Sequence, residues 1–474
     1  MTTVAGPNHS LQWAPPKNAT FERDLDDFER FYHFISKTGQ GCPNRLNWRS
    51  TVCARITTAL DDLPGRLRNA WKNARLEFPI IAAYVENDRF VYKAADEKDL
   101  ELWMQETFNV LDTERTARRE SYYTGPETRR MLLHFLPHTQ EVFVQGPHTH
   151  IDGIGLAVLL RFILQSVAGA EESSCVLGEE VKNLLPPLAV TSGVPTPTPA
   201  QKKAFNTAMQ GFVSNFAAVH VHSENKGAPA RTTKIQWLIY DEADTKAIAA
   251  RSKELGFSVT ACLQAALSRT ARIHGQVDSS CHATMAIYDG RGYVDGKFYP
   301  HDRLVGPHVF AMPAVYPISE SFQETALAAK EVLASFKEDD LVRTASGLWV
   351  DAMNEMLSTP PPPGAPVAAD LQLSSIGVLD KFFPPLYKGE DGQTQIEVDD
   401  LWMSLDILYP NVAVDAWTFR GKLNIELMYN EAYHRDSSIT LITSLIHEQL
   451  TQGLGLDLKY DARKPGEEDF VSRS

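Results

Sequence analysis

Apolar positions along the chain alternate between helical and strand-like spacing. Between Asp24 and Ser36 (DLDDFERFYHFIS) an acidic start leads into apolar residues at helical intervals, which suits the positive end of a helix dipole. A second helix is predicted from Pro64 to Glu77, with proline in its first turn and Leu67, Ala70, Trp71 and Ala74 on its apolar face. Ile80–Glu86 and Arg89–Ala94 read as strands, and Asn87-Asp88 between them as a tight hairpin turn. Arg130–Leu136 and Glu141–Gly146 form another strand pair around a turn at Pro137 to Gln140. The second of these strands runs directly into Pro147-His148-Thr149-His150-Ile151-Asp152-Gly153. Beyond it, Ile154–Ser166 is predicted to be a helix with one broad apolar face.

From about residue 171 to 232 the pattern lapses. Pro186, Pro187, Pro195, Pro197 and Pro199 cluster with Ser, Thr and Gly, and only Lys202–Ala218 suggests a short helix. Alternation then resumes. Thr233–Tyr240, Ala283–Tyr288 and Leu423–Tyr429 read as strands. Asp241–Leu255, Thr260–His274 and Ser437–Thr451 read as helices, and the run Pro360–Pro363 reads as a loop. Strands and helices mixed in both halves, over 474 residues, predict an α/β (α+β) protein of two lobes. The expected division is residues 1–185, a crossover at 186–232, and 233–474.

Composition narrows the classes. With 43% hydrophobic and 22% charged residues the chain is globular, and a formal net charge of -14 removes a global basic footprint for nucleic acid. The apolar stretch Ile154 to Leu164 contains Arg161 and is too short to cross a bilayer, so no membrane partner is expected. The N-terminus lacks the apolar region of a secretory signal. Cys42, Cys53, Cys175, Cys262 and Cys281 are scattered, without a CxxC pair, and fit reduced thiols in a cytoplasmic protein.

The sharpest chemical signal is His148-x-x-x-Asp152-Gly153, set where a strand ends and a helix begins. Pro147 stiffens the approach and Gly153 permits a tight turn or close backbone contact. A histidine at such a break is expected at an edge rather than in a core. With an ordinary pKa of about 6.5 it is mostly neutral at cytosolic pH and able to take a proton from a hydroxyl or amine. The same pattern also suits a histidine that only closes a loop. Asp152 has two candidate roles: accepting a bond from the other ring nitrogen, or holding the loop through an arginine. His150, two residues on, shares the face of His148 if the segment is extended, and either competes as base or lines the site. No GxSxG elbow, GxxxxGK[ST] loop or GxGxxG turn occurs. His447-Glu-Gln-Leu-Thr451 lacks the second histidine of a zinc helix, so no metal is expected.

The His148–Gly153 motif resembles the signature of the chloramphenicol-acetyltransferase-like superfamily, which includes condensation domains, plant BAHD acyltransferases and fungal trichothecene acetyltransferases. Ser258–Leu267, Tyr288-Asp-Gly-Arg-Gly-Tyr293, Ser374-Ser-Ile-Gly-Val-Leu-Asp380 and Leu427–Tyr433 resemble further elements of that group, in order. The nearest branch by resemblance is that of the fungal trichothecene 15-O-acetyltransferase-like proteins. Pro147 stands where condensation domains carry a second histidine, and the DFGWG motif of the BAHD branch is absent.

The resemblance implies two α/β lobes with a channel between them and His148 midway along it. It implies an acyl-CoA-dependent O-acyltransferase of secondary metabolism, an O-acetyltransferase in the first instance, with His148 as general base and no bound cofactor. Asp152, with Arg291 as its partner, would fix the active-site loop, and Ser374 or Ser375 would serve the oxyanion. Lys202, Lys203, Arg231, Lys246, Arg251 and Lys253 are cations available to coenzyme A phosphates, or simply solvated. Arg303–Ile318 and Ser358–Leu373 are candidate acceptor-binding loops. A free-standing monomer acting on acyl-CoA and a small-molecule acceptor is expected. The alternatives are a cyclase reusing the channel, such as a pericyclase acting on a polyketide or terpenoid, and a condensing enzyme fed by a carrier-bound acyl group.

Overall fold

In the computed structural model the described residues are 11–463 apart from 15–16, 40–41, 43–44, 119, 121–128, 170–172, 174, 299, 301–302 and 359–368. The proline run Pro360–Pro363 and most of the expected loop Ser358–Leu373 lie outside them, as does the start of the N-terminal segment.

Two sheets organise the chain. The first has six strands in the order Leu386–Lys388, Thr394–Leu405, Arg49–Thr58, Glu141–Pro147, Leu132–Leu136, Phe108–Val110. The second has five, in the order Leu371–Val378, Val412–Phe419, Lys422–Asn430, Thr233–Tyr240, Asp461–Arg463. A two-stranded ribbon pairs Cys281–Asp289 with Val309–Pro317. A three-stranded one joins Thr20–Asp24, Arg89–Lys93 and Tyr84–Glu86. The hairpin of this last ribbon turns at Asn87 and Asp88, both with positive φ (49° and 58°), the backbone a two-residue turn requires.

Side-chain alternation gives each sheet two buried faces. In the first, Val52, Val142 and Val144 point toward the helices Leu63–Glu77 (Leu67, Trp71) and Gly153–Val167 (Leu156, Leu159, Ile163). The residues between them, Cys53 and Phe143, point the other way. There they meet Ile235, Trp237 and Met428 of the second sheet, beside Trp402. Arg118 is buried in this seam, its guanidinium 4.2 Å from the Trp237 ring centroid and 5.2 Å from that of Trp402. The far face of the second sheet packs on the helices Val259–Gly275 and Asp436–Leu454 through Leu427, Ile425, Ile442 and Ile446.

Several expectations are corrected here. The strands Arg49–Thr58 and Thr394–Leu405 were not legible, because RSTVCARITT and TQIEVDDLWMSL mix polar and apolar residues without a clean period. Thr394–Leu405 lies in the second half of the chain yet pairs with Arg49–Thr58, matching Trp402 to Cys53 and Met403 to Val52. The first sheet is therefore completed by strands from beyond residue 233. Within the proline-rich stretch, the helix is Pro199–Asn215, capped by Thr198 and Gln201, and starts earlier than the expected Lys202–Ala218. Most of Arg303–Ile318 is the strand Val309–Pro317 rather than a loop.

Leu159, fully buried in the helix that follows His148, tests this packing. Leu159→Ala should lower stability by about 2–5 kcal/mol, read from denaturant unfolding. A loss below about 1 kcal/mol would show that the site collapses around the deletion.

Candidate active site

The strand Glu141–Pro147 is buried along its whole length and ends in a turn, the His150 amide donating to the Pro147 carbonyl at 2.9 Å. This leaves His148 half-buried at the wall of a cavity between the two sheets. Its ring stacks on Tyr32 (centroids 4.3 Å apart, planes at 17°), and Trp48 flanks it at 6.2 Å. Burial lowers the His148 pKa, against a smaller upward pull from Asp152 and from its own main-chain carbonyl. Its Nδ1 is buried and has no partner of normal geometry among the described residues.

Asp152 is the N-cap of Gly153–Val167, accepting from the Gly155 amide at 2.7 Å. Arg291 donates to both its oxygens, at 2.8 and 3.0 Å, and the His308 amide donates to Oδ2 at 2.7 Å. With these donors the carboxylate faces Arg291, the second of its two candidate placements. Burial raises its pKa, but Arg291, His308 and the Gly155 amide outweigh that and hold the carboxyl below the ordinary range. Arg291 itself is 2% exposed and also meets Asp289 and the Leu304 carbonyl.

Gly153 is not the sterically constrained glycine. A Cβ there would make ordinary contacts with Ile376 and Met403, at 3.6 and 3.8 Å. At Gly155 it would lie 2.9 Å from Ile151, 3.0 Å from the Gly306 carbonyl and 3.2 Å from Arg291 Nη2. His150 points out of this cavity. Its Nε2 is 3.0 Å from the Ala83 carbonyl, Phe90 packs edge-on against it, and burial takes its pKa down to about 4. It lines a separate cavity with His33 and Arg129, and so neither competes with His148 nor lines its site.

Ser374 and Ser375 both line the His148 cavity. Ser375 Oγ is 2.9 Å from Thr260 Oγ1. Ser374 lies in register with Asp415 on the neighbouring strand. Tyr32, Trp48, Gln372, Asn411 and Asp415 also line the cavity and were missed. Only Asp415 left a trace in sequence: a lone acid in the apolar strand VAVDAWTF. The cations considered for coenzyme A do not line this cavity: Arg231 pairs with Glu431, Lys246 with Glu242 and Arg251 with Glu254, while Lys202 and Lys203 are exposed. A separate Ser268–His282–Asp370 chain exists (3.0 and 2.7 Å), but Ser268 and His282 are fully buried, and it ties elements together. Among the described residues no cluster of His, Cys, Asp or Glu could hold a metal, and no helix is long and apolar enough to cross a membrane.

Removing Arg291 would leave Asp152 as a buried, uncompensated charge. Arg291→Met should cost about 3–5 kcal/mol in urea unfolding. Because the Asp152 carboxyl is held below its ordinary pKa, the pair's contribution is present above that pKa and is lost as pH falls through the lower folded value. The gap between wild type and Arg291→Met should therefore narrow only in acid. A gap constant down to about pH 2 would contradict the assignment.

No protein-family model matches the chain. It is 26% identical to acetyltransferase pigO of Monascus ruber over 467 residues (94% of this chain, 99% of the relative), and 25% identical to O-acetyltransferase pigM of the same organism over 466 residues (94% and 88%). It is also 26% identical over 495 residues (95% and 98%) to a protein of Epichloe uncinata named loline biosynthesis cluster 1 transcription factor lolU1. Among solved structures it superposes on TRI3 trichothecene 15-O-acetyltransferase from Fusarium sporotrichioides with a TM-score of 0.78 at 16% identity, covering 91% of this chain and 95% of that one. The EpoB cyclization-docking bidomain from Sorangium cellulosum gives 0.64 at 12% identity, covering 95% and 88%. The fold, shared with these structures over nearly the whole chain, is the two-lobed chloramphenicol-acetyltransferase-like fold.

Proposed function

We propose that this protein is an acyl-CoA-dependent O-acyltransferase, in the first instance an O-acetyltransferase, acting on a hydroxyl of a small secondary metabolite with His148 as general base. The observation that carries this reading is His148 itself: a histidine on the wall of a large cavity between two sheets, its ring plane fixed by Tyr32. The relatives named as acetyltransferases, similar over nearly their whole length, support it.

The chemistry follows from the placement. Nδ1 is buried, so the proton-accepting role is assigned to Nε2. The acceptor hydroxyl loses its proton to Nε2 as its oxygen attacks the thioester carbonyl. The tetrahedral oxyanion then collapses, the C–S bond breaks, and the imidazolium returns the proton to the leaving thiolate. An oxyanion needs a donor with a proton to spare. Ser374 lies in register with the Asp415 carboxyl, an acceptor that competes for its proton, whereas Ser375 is free to donate whenever Thr260 donates to it. Ser375 is therefore the better oxyanion donor of the two.

Incubation with acetyl-CoA and a panel of hydroxylated sesquiterpenoids and polyketides, following free thiol and product mass, tests this reading. His148→Ala should retain its fold and lose about 10²–10⁴-fold in rate, with Ser375→Ala losing more than Ser374→Ala. Because burial holds the His148 pKa below that of a free imidazole, the base is neutral at and above neutral pH. Wild-type kcat/KM should therefore stay flat down to lower pH than a free imidazole would allow, then fall. Transfer surviving in His148→Ala would overturn the mechanism and shift weight to a cyclase that uses the cavity as a template.

A further inference from the structure

Asp415 is a carboxyl without a cation. In the strand Val412–Phe419 it faces the cavity, while Val412, Val414 and Ala416 face the opposite core. It is 6% exposed, and among the described residues no Lys, Arg or His lies within ion-pair distance of it. Ser374 is its neighbour in register on the adjoining strand. The cationic side chain lining the same cavity, Arg291, is already bonded to Asp152 and Asp289. The cavity thus carries an excess of carboxyl groups, facing an aromatic wall of Phe28, Phe31, Tyr32 and Trp48. Burying an unpaired carboxylate is costly, and the natural complement of an acid beside aromatic rings is an organic cation.

We propose that the cavity binds an acceptor carrying a protonated amine as well as a hydroxyl, and that Asp415 is the counter-ion of that amine. The ion pair also bears on selectivity. An ammonium held by Asp415 has no lone pair to attack a thioester, so the acyl group goes to the hydroxyl. This deepens the acyl-transfer reading, but the binding claim stands apart from it, because it is tested without an acyl donor.

Burial raises Asp415 to about 7, against a smaller lowering by the nearby Ser374 hydroxyl. Glu426, opposite it on the neighbouring strand, is raised well above its ordinary range by burial, with Trp237 donating to it, and Asp415 pushes it further up. Across the cavity burial lowers His148 and raises Tyr32, and Asp152 and Arg291 form a charged pair, with Asp289 bonded to the same arginine. Choline carries a charge that does not change with pH, so a change in its binding between about pH 6 and about pH 8 reports titration of the cavity, and its loss in Asp415→Asn assigns that titration to Asp415.

The experiment is equilibrium binding to the full chain of two matched pairs: choline with its uncharged carbon isostere, and tropine with its carbocyclic counterpart. In wild type the amines should bind at least about tenfold more tightly than their isosteres at the higher pH, with the preference shrinking as pH falls. Asp415→Asn, whose melting temperature checks the fold, should abolish the preference and its pH dependence while leaving isostere binding unchanged. The wild-type pH dependence of choline binding provides a measurement that needs no variant. Equal binding of amine and isostere, no amine binding at all, or a preference retained in Asp415→Asn would each overturn the proposal. Failure of acetyl transfer with amine preference intact would instead count against the catalytic reading alone.

Discussion

The buried contact between Asp152 and Arg291 is the point on which the site depends. Asp152 begins the helix behind His148, while Arg291, His308 and Gly306 come from the ribbon of the second half. All of them meet at the one aspartate, which accepts from Arg291 and from the His308 amide and whose own amide donates to the Gly306 carbonyl. Such a pair need not add net stability, because desolvating two ions offsets most of their attraction. Its value is geometric. Each oxygen of Asp152 has assigned donors, and only one arrangement of the loop satisfies them. That arrangement sets the helix start, and with it the position of His148 four residues earlier. Gly155 belongs to the same constraint, since the two halves approach too closely there for a side chain.

This division of labour leaves His148 without a carboxylate partner. A base paired to an aspartate would have its pKa raised; here burial dominates and lowers it. The ring is oriented by stacking on Tyr32 instead, a contact that fixes its plane while adding no charge. In the proposed mechanism, that lowered pKa keeps the imidazole ready to accept a proton and makes the imidazolium a stronger acid when the proton is returned.

The motif from His148 to Gly153 was legible because it is local: a strand, a break and a helix within about twenty residues, each with its own spacing. Arg291 was legible only through resemblance, since nothing in its own neighbourhood points to a partner 139 residues away. His150 misled because strict alternation was assumed across the segment, whereas the turn closed by its amide sends its ring toward Ala83 and Phe90. Tyr32 and Trp48 could not be found by spacing, because their relation to His148 is made by packing between distant elements. Thr394–Leu405 escaped for the same reason. Its mixed pattern reflects a strand buried unevenly along its length, and its place beside Arg49–Thr58 is a long-range pairing.

That pairing also explains why the cavity can hold chemically different groups on opposite walls. His148 belongs to the first sheet, and Asp415 with Ser374 and Ser375 to the second. Their separation is set by the seam where Trp237, Trp402 and Arg118 lock the sheets together. Because Thr394–Leu405 leads by a short connection from the first sheet into Val412–Phe419 of the second, it couples the two walls covalently as well. His148 and Asp415 are thus held apart by backbone and by buried aromatic packing, rather than by loops. On the proposed function, a ligand spanning them meets a rigid distance, and selection among acceptors falls to the spacing between their hydroxyl and their second polar group.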